Sequence, residues 1–209
     1  MKLKRILALI FCLLMAFSVT ATALAEDDGG SDAPAAADTN YMGQMVQAAT
    51  VGDAATGEAA QAARDAKIDA LGLEGQYPKI SYGDLYLLAK TIQWEAGSYW
   101  LSDQWKMCVG EVILNRAASP EFPNTISAVV YQRGQYAGVT GSRFARTQPD
   151  ARSVGLALRL LEGERVLNDP SVVFQANFPQ GGGVHTALYD SKLGWTYFCF
   201  SSRPNLYHA

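Results

Sequence analysis

Histidine and cysteine are scarce in this chain of 209 residues: there are two histidines, His185 and His208, and three cysteines, Cys12, Cys108 and Cys199. Neither histidine lies at ligand spacing from a cysteine or a carboxylate pair, which sets aside the common zinc arrangements. No metal and no cofactor is expected. A G-x-S-x-G elbow and a phosphate-cradling loop are also missing. Gly181, Gly182 and Gly183 follow a strand-like run with no helix after them, so they read as a turn. Basic residues do not dominate either, with 17 Lys and Arg against 20 Asp and Glu, and no nucleic-acid partner is expected.

Charge and aromatic content are unevenly spread. The opening stretch, MKLKRILALIFCLLMAFSVTATALA, sets Lys2, Lys4 and Arg5 before an apolar run through Val19, then closes on Ala23-Leu24-Ala25. That order of basic, apolar and small residues reads as a secretory signal with an A-x-A cleavage site. The alternative is an uncleaved membrane anchor, for which the apolar run is short. Cys12 lies inside the run without the small-residue context of a lipidated cysteine. Export predicts a secreted or cell-wall-associated protein, with membrane contact only through the uncleaved signal segment. It also leaves Cys108 and Cys199 where a disulfide can persist; two buried free thiols are the alternative.

Without residues 1–25 the basic count falls to 14 against 20 acids, a net charge of −6. Residues 26–76 hold ten of those acids against Arg64 and Lys67, and they are rich in Ala, Gly and Thr and poor in aromatics. Such a composition buries little apolar surface, so a mostly disordered spacer is expected, with room for a short helix near 59–70. Residues 77–209 then form one domain with 12 basic and ten acidic residues, a size at which a single core is ordinary.

Within that domain Ser81 and Asp84 form a capping-box variant, and Leu85, Leu88, Ala89 and Ile92 trace an apolar stripe, predicting a helix over 82–96. A second helix begins near Asp103, with Trp105, Cys108, Val109, Val112 and Asn115 on one face. Asn124 can cap a short helix over 125–130, and a Gly-rich connection, RGQYAGVTGSRFARTQPD, leads to another over 151–162. After Pro170 the period changes to two. VVFQANF and GWTYFCF read as strands, giving an α+β fold, mainly helical with a small C-terminal β element.

One residue stands out. Glu95 falls at i+7 from Leu88 and i+3 from Ile92, on the face predicted to be buried, beside Trp94. A carboxyl group in an apolar setting has its proton affinity raised, and a protonated carboxylic acid near neutral pH can protonate a glycosidic oxygen. Trp94, Tyr99 and Trp100 can stack on sugar rings. The bland reading is a structural glutamate bonded to a loop, or one snorkelling out at the helix end. A Cys108–His185 dyad is a rival chemistry, against which Cys108 sits mid-helix on an apolar face where thiols are usually inert.

The stretch from Glu95 onward resembles the SleB-type cell wall hydrolase family. It is carried by Glu95-Ala96, by V-x-x-V-I-L-N-R at 109–116, by S-P-x-F-P-N-T-I at 119–126 and by V-x-Y-Q-x-G-Q-Y at 129–136. The resemblance extends loosely over 77–209 and implies a lysozyme-like, transglycosylase-type fold acting on peptidoglycan glycan strands. In that scheme Glu95 is the single catalytic acid and base. It protonates the oxygen between N-acetylmuramic acid and N-acetylglucosamine, and the muramic 6-hydroxyl closes onto C1 to leave a 1,6-anhydro end. Gln135 and Tyr136 are candidates for sugar contacts, with core packing the alternative for Tyr136, and Asn115 and Arg116 are candidates for structural hydrogen bonds that fix loops. No protein partner is legible.

The chain departs from the family's E-A-x-G-E pattern, reading Gly97, Ser98 and Tyr99 where a second acid is common. The segment from Glu95 to Asn115 is also about two residues longer than usual. A muramidase using water would need a second carboxylate, Asp103 or Glu111, across a cleft from Glu95. A non-catalytic wall-binding module is the remaining alternative.

Overall fold

The computed structural model describes residues 34–207, with side chains from Asp38 onward. The expected signal segment, Cys12, the acids from Glu26 to Asp32 and His208 lie outside the described residues. The chain is mainly helical with a small antiparallel sheet at its C-terminal end, an α+β arrangement.

Helix α3 (Tyr82–Ala96) starts where its capping chemistry dictates. Ser81 Oγ accepts the Asp84 backbone N–H at 3.0 Å and donates to the Asp84 carboxylate at 2.8 Å, which satisfies one orphan donor of the first turn. Helix α4 (Asp103–Ala118) is capped in the same way by Ser102, which accepts from the Trp105 N–H at 3.2 Å. Every residue of α4 from Trp105 to Ile113 is buried, because the helix is covered on two sides. One side meets α3 and α7 (Ala151–Leu161) through Met107 and Ile113, in a core with Leu85, Leu88, Ile92, Val154, Ala157 and Leu160. The other presents Cys108, Val109 and Val112 to Val172 and Phe198 of the sheet.

The sheet has the order β1–β3–β2, all antiparallel, from β1 (Val172–Ala176), β2 (Val184–Asp190) and β3 (Gly194–Phe200). Strand β3 spans the residues expected of it, whereas β1 stops at Ala176 and leaves Phe178 exposed. Strand β2 was not anticipated: it is a half-exposed edge strand without clean alternation, so its period-two signal is weak. Its turn is closed by the Asp190 carboxylate, which accepts the Lys192 and Leu193 N–H groups at 2.9 and 3.0 Å.

Residues 34–71 differ most from expectation. In place of a disordered spacer they form α1 (Pro34–Val51) and α2 (Ala54–Leu71), an antiparallel pair that packs into the main core. Met42, Met45, Ala48, Ala49 and Ala60 are buried beside α3 residues. The composition argument fails because small residues let helices approach closely, so modest side chains still exclude water. Gly57 shows one such approach, of α2 to α3: a Cβ there would lie 2.2 Å from the Tyr82 ring. The pair is also pinned by charge, since buried Arg64 binds the Asp38 carboxylate and donates to the Pro78 carbonyl at 3.2 Å. The structured domain therefore begins well before residue 77.

Candidate active site

Glu95 stands in the last turn of α3, beside the end of the core stripe. That stripe runs Leu85, Leu88, Ala89, Ile92, Ala96, all buried, while Glu95 is exposed. At 100° per residue it lies roughly 80° off the centre of the stripe, on its edge. This corrects the expected burial: a spacing of i+3 and i+7 permits either the core or its rim, and here Ala96 takes the core position. What lies at the rim is a groove of about 590 Å³ lined by Gln93, Trp94, Glu95, Ala137, Arg143, Thr147 and Gln148.

The groove floor at α3 is held rigidly. Lys106 is fully buried and its ammonium donates to the Ala96 carbonyl, placing a cation at the C-terminal end of α3 where the helix dipole favours one. Desolvation, and secondarily Arg152, lowers the affinity of this ammonium for its proton. Arg152 fixes the turn after the helix by donating to the Tyr99 and Leu101 carbonyls at 2.9 and 2.7 Å and to the Asp103 carboxylate at 2.7 Å.

The opposite wall comes from the Gly-rich connection and a short helix, α6 (Ser142–Ala145), which follows α5 (Ile126–Val130). Trp94 joins the two walls. Its Nε1–H donates to the Ala137 carbonyl at 2.9 Å, and its ring meets Phe144 edge-on with centroids 5.5 Å apart. Gly138 sits against the same indole with φ +78, and a Cβ there would come to 3.0 Å from it. The Arg143 guanidinium lies 5.9 Å from the Trp94 ring. Behind this wall, Lys90 donates to the Ala145 carbonyl at 3.0 Å, and Gln148 to the Thr50 carbonyl at the end of α1 at 3.3 Å.

No described residue hydrogen-bonds to the Glu95 carboxylate or pairs with it. Desolvation raises its pKa above the ordinary carboxylate value. An open groove wets the side chain from one side while the crowded protein on the others withholds water, and it is this crowding that disfavours the charge. A carboxyl group so placed can exchange a proton with something entering the groove.

The other acids are committed elsewhere. Glu111 is 1% exposed, and its carboxylate accepts three backbone N–H groups, from Val166 at 2.6 Å, Leu167 at 2.9 Å and Asn168 at 3.1 Å. It holds the loop that leads into β1. Asp103 is occupied by Arg152. Neither lines the groove.

The remaining candidates are dispersed. Tyr99 is 82% exposed in the turn after α3, edge-on to Trp100 with centroids 5.2 Å apart, and does not line the groove. Gln135 is exposed on the 131–140 loop, beside a separate hollow of about 400 Å³. Tyr136 is 8% exposed, too buried to offer its ring face to a sugar. Asn115 donates to the Asp169 and Val172 carbonyls, both at 3.0 Å, and Arg116 to the Val173 carbonyl at 2.5 Å. The Arg116 guanidinium lies 5.1 Å from the Phe122 ring centre, so both residues tie α4 to the loops around it.

Cys108 and Cys199 are free, buried thiols with no disulfide between them. Burial, with a smaller push from Glu111, raises the Cys108 thiol to about 12, which suppresses the thiolate a peptidase would need. His185 contacts Thr186 at 2.8 Å and lies edge-on to Phe200.

Sequence reasoning missed Gln93, Arg143, Thr147 and Gln148. Its only handle on the last three was the Gly-rich connection itself, since long loops packed over a helix end often carry function.

Residues 101–178 match the family model described as Cell Wall Hydrolase. The matched stretch runs from the turn after α3 past the end of β1, and so includes Glu111, Asn115, Arg116, Tyr136 and the whole opposite wall of the groove, with Glu95 just upstream. The likeness of this stretch to a cell wall hydrolase model points to peptidoglycan as the substrate. No curated protein and no solved structure matches the chain.

Proposed function

We propose that the protein cleaves peptidoglycan glycan strands as a lytic transglycosylase, with Glu95 as its acid and base. The observation that carries this reading is a single unpaired carboxyl group of raised pKa lining an open groove, with no second carboxylate on that groove among the described residues. Glu95 first gives its proton to the oxygen between muramic C1 and the next sugar, and the C1–O bond breaks. The carboxylate left behind takes the proton of the muramic 6-hydroxyl as that oxygen bonds to C1. No water enters, and the nucleophile is supplied within the substrate at high effective concentration. A hydrolase would need a carboxylate to activate water or to bond to C1, and the restraint of Glu111 and Asp103 by other partners argues against that route.

In the same reading the chain reaches its substrate by export through its first 25 residues, and the SleB-type resemblance around Glu95 and 109–136 describes its family more finely. The test is mass spectrometry of soluble fragments from purified peptidoglycan digested by the full chain. The reading expects 1,6-anhydromuramyl ends; reducing muramic ends would replace it with hydrolysis.

A further inference from the structure

The outer face of the sheet departs from what packing alone would produce. An antiparallel sheet with one face on the core ordinarily carries polar residues on the other. Leu188 and Phe198 turn inward, toward Cys108, Val109 and Val112 of α4. Their chain neighbours Tyr189 and Tyr197 therefore turn outward. Strand register completes the face: Tyr189 lies opposite Trp195, and Tyr197 opposite Ala187. These four residues carry no charge. The Trp195 ring centre lies 5.1 Å from that of Tyr189, with the planes 51° apart, and 6.0 Å from that of Tyr197, within 24° of parallel. Tyr189 is 61% and Trp195 48% exposed. Left largely in water, these rings add little to folding, and a contiguous exposed patch of this kind marks a surface that meets a partner.

The position of the row says what kind of partner fits. It starts at the tip of the β2–β3 hairpin, where the Lys192 ammonium lies 4.1 Å from the centre of the Trp100 ring. Trp100 belongs to the turn after α3, five residues beyond Glu95, and Arg152 fixes that turn through the Tyr99 and Leu101 carbonyls. The rings thus lead away from the end of the helix that carries Glu95, on elements fastened to it. A small substrate would fill the groove alone, whereas an extended polymer can occupy both. The hairpin's charges are engaged within its own tip: the Asp190 carboxylate accepts the Lys192 and Leu193 N–H groups, and the Lys192 ammonium rests on Trp100. What remains is a neutral surface of flat rings with O–H and N–H handles. The apolar C–H face of a sugar ring lies well on such rings, while its hydroxyl and acetamido groups meet the handles.

We propose that the outer face of the β2–β3 hairpin, Tyr189, Trp195 and Tyr197, is a second binding site for the glycan strand, separate from the Glu95 groove. The proposal rests on the reading of peptidoglycan as the substrate, and it adds a site that lies beyond the matched residues 101–178. A strand held on this platform between cleavages keeps its next bonds at high local concentration near Glu95.

The experiment uses the full chain carrying Glu95→Gln, so that nothing is cut, beside the same chain with Tyr189→Ala and Trp195→Ala added. Both added positions are exposed, where substitution usually costs the fold little. Binding is read by sedimentation with purified sacculi, with the neutral tetrasaccharide of β-1,4-linked N-acetylglucosamine as competitor. The proposal predicts about tenfold weaker binding once the two rings are gone, and displacement of the intact face by the tetrasaccharide. Equal binding by the two chains overturns it. So does a concentration-dependent dimer that the added substitutions disperse, which would assign the face to a second copy of the chain. If the substituted chain does not fold, the indole N–H resonance of Trp195 in the Glu95→Gln chain takes its place. It should shift as the tetrasaccharide is added, and a shift confined to Trp94 overturns the proposal. None of these readouts needs turnover. Binding through the rings by a parent that releases no muropeptide would sink the reading of Glu95 and leave the platform standing; cleavage by the parent with equal binding by both chains would sink the platform alone.

Discussion

Glu95 and Glu111 lie on neighbouring helices and show how environment divides one residue type into two jobs. At the end of α3, Glu95 faces an open groove with no partner among the described residues, and crowding alone raises its pKa. In the middle of α4, Glu111 is sealed from solvent and accepts three backbone N–H groups in a row. A carboxylate that accepts three backbone N–H groups in a sealed site is held in place by them and out of reach of any substrate. One without partners is free to meet something in the groove, and contributes nothing visible to holding the fold. On the proposed reading the first region serves chemistry and the second architecture, whereas sequence alone left Asp103 or Glu111 open as the second carboxylate of a rival hydrolase.

The sharpest way to break that division is to exchange each carboxylate. Glu95→Gln should lower cleavage of peptidoglycan by about a thousandfold or more, the usual scale for loss of a general acid, with little change in thermal unfolding. Residual activity within tenfold of the parent would mean that another group supplies the proton. Glu111→Ala should do the opposite, destabilising the chain by about 3 kcal/mol or more through three orphaned N–H groups, as read by urea unfolding. A stable variant with lost turnover would move Glu111 into the chemistry.

A third change tests the helices mistaken for a spacer. Deleting residues 26–76 removes Met42, Met45, Ala48, Ala49 and Ala60 from the core and the Thr50 carbonyl from behind Gln148. The expected outcome is several kcal/mol of lost stability, enough to unfold most small domains. A truncated protein that melts like the parent would restore the spacer. Arg143 is a cation lining the groove, and Arg143→Gln should raise KM for anionic peptidoglycan severalfold at low salt, an effect that fades as ionic strength rises.

The smallest effect concerns pH. A carboxyl whose folded pKa is raised binds its proton more tightly in the native than in the unfolded chain. Stability is therefore highest below the unfolded value and falls as pH climbs through the interval up to the folded one. Desolvation of Glu95 thus costs a little stability above the ordinary carboxylate range, and Glu95→Gln should melt slightly higher than the parent at pH 7 and alike at pH 3. Activity should decline over the same interval as the acid form is lost. Melting curves that differ equally at both pH values would remove the shift from the account.

Much of this was legible beforehand, for physical reasons that differ by element. Helix α3 was found at both ends because Ser81 and Asp84 mark its start and Gly97, opening a turn-rich joint, marks its stop. Strand β3 was found because its residues are bulky on both faces. The groove was not, since Arg143 and Gln148 meet Glu95 only after two loops fold back over the helix end, and nothing in their spacing says so. Tyr136 was left between sugar contact and core packing because a tyrosine in a Gly-rich loop gives no periodicity from which burial could be inferred, and the structure buries it. The α1–α2 pair was missed because a composition rule counts large apolar residues, whereas this interface is made with Ala, Gly, two methionines and one buried Arg64–Asp38 pair.

The most direct test is the rate at which soluble muropeptides leave purified sacculi treated with the full chain or with its Glu95→Gln variant, both verified as folded by their melting curves. The account predicts steady release by the parent and nearly none by the variant. Equal release from both, or none from the folded parent, would contradict it.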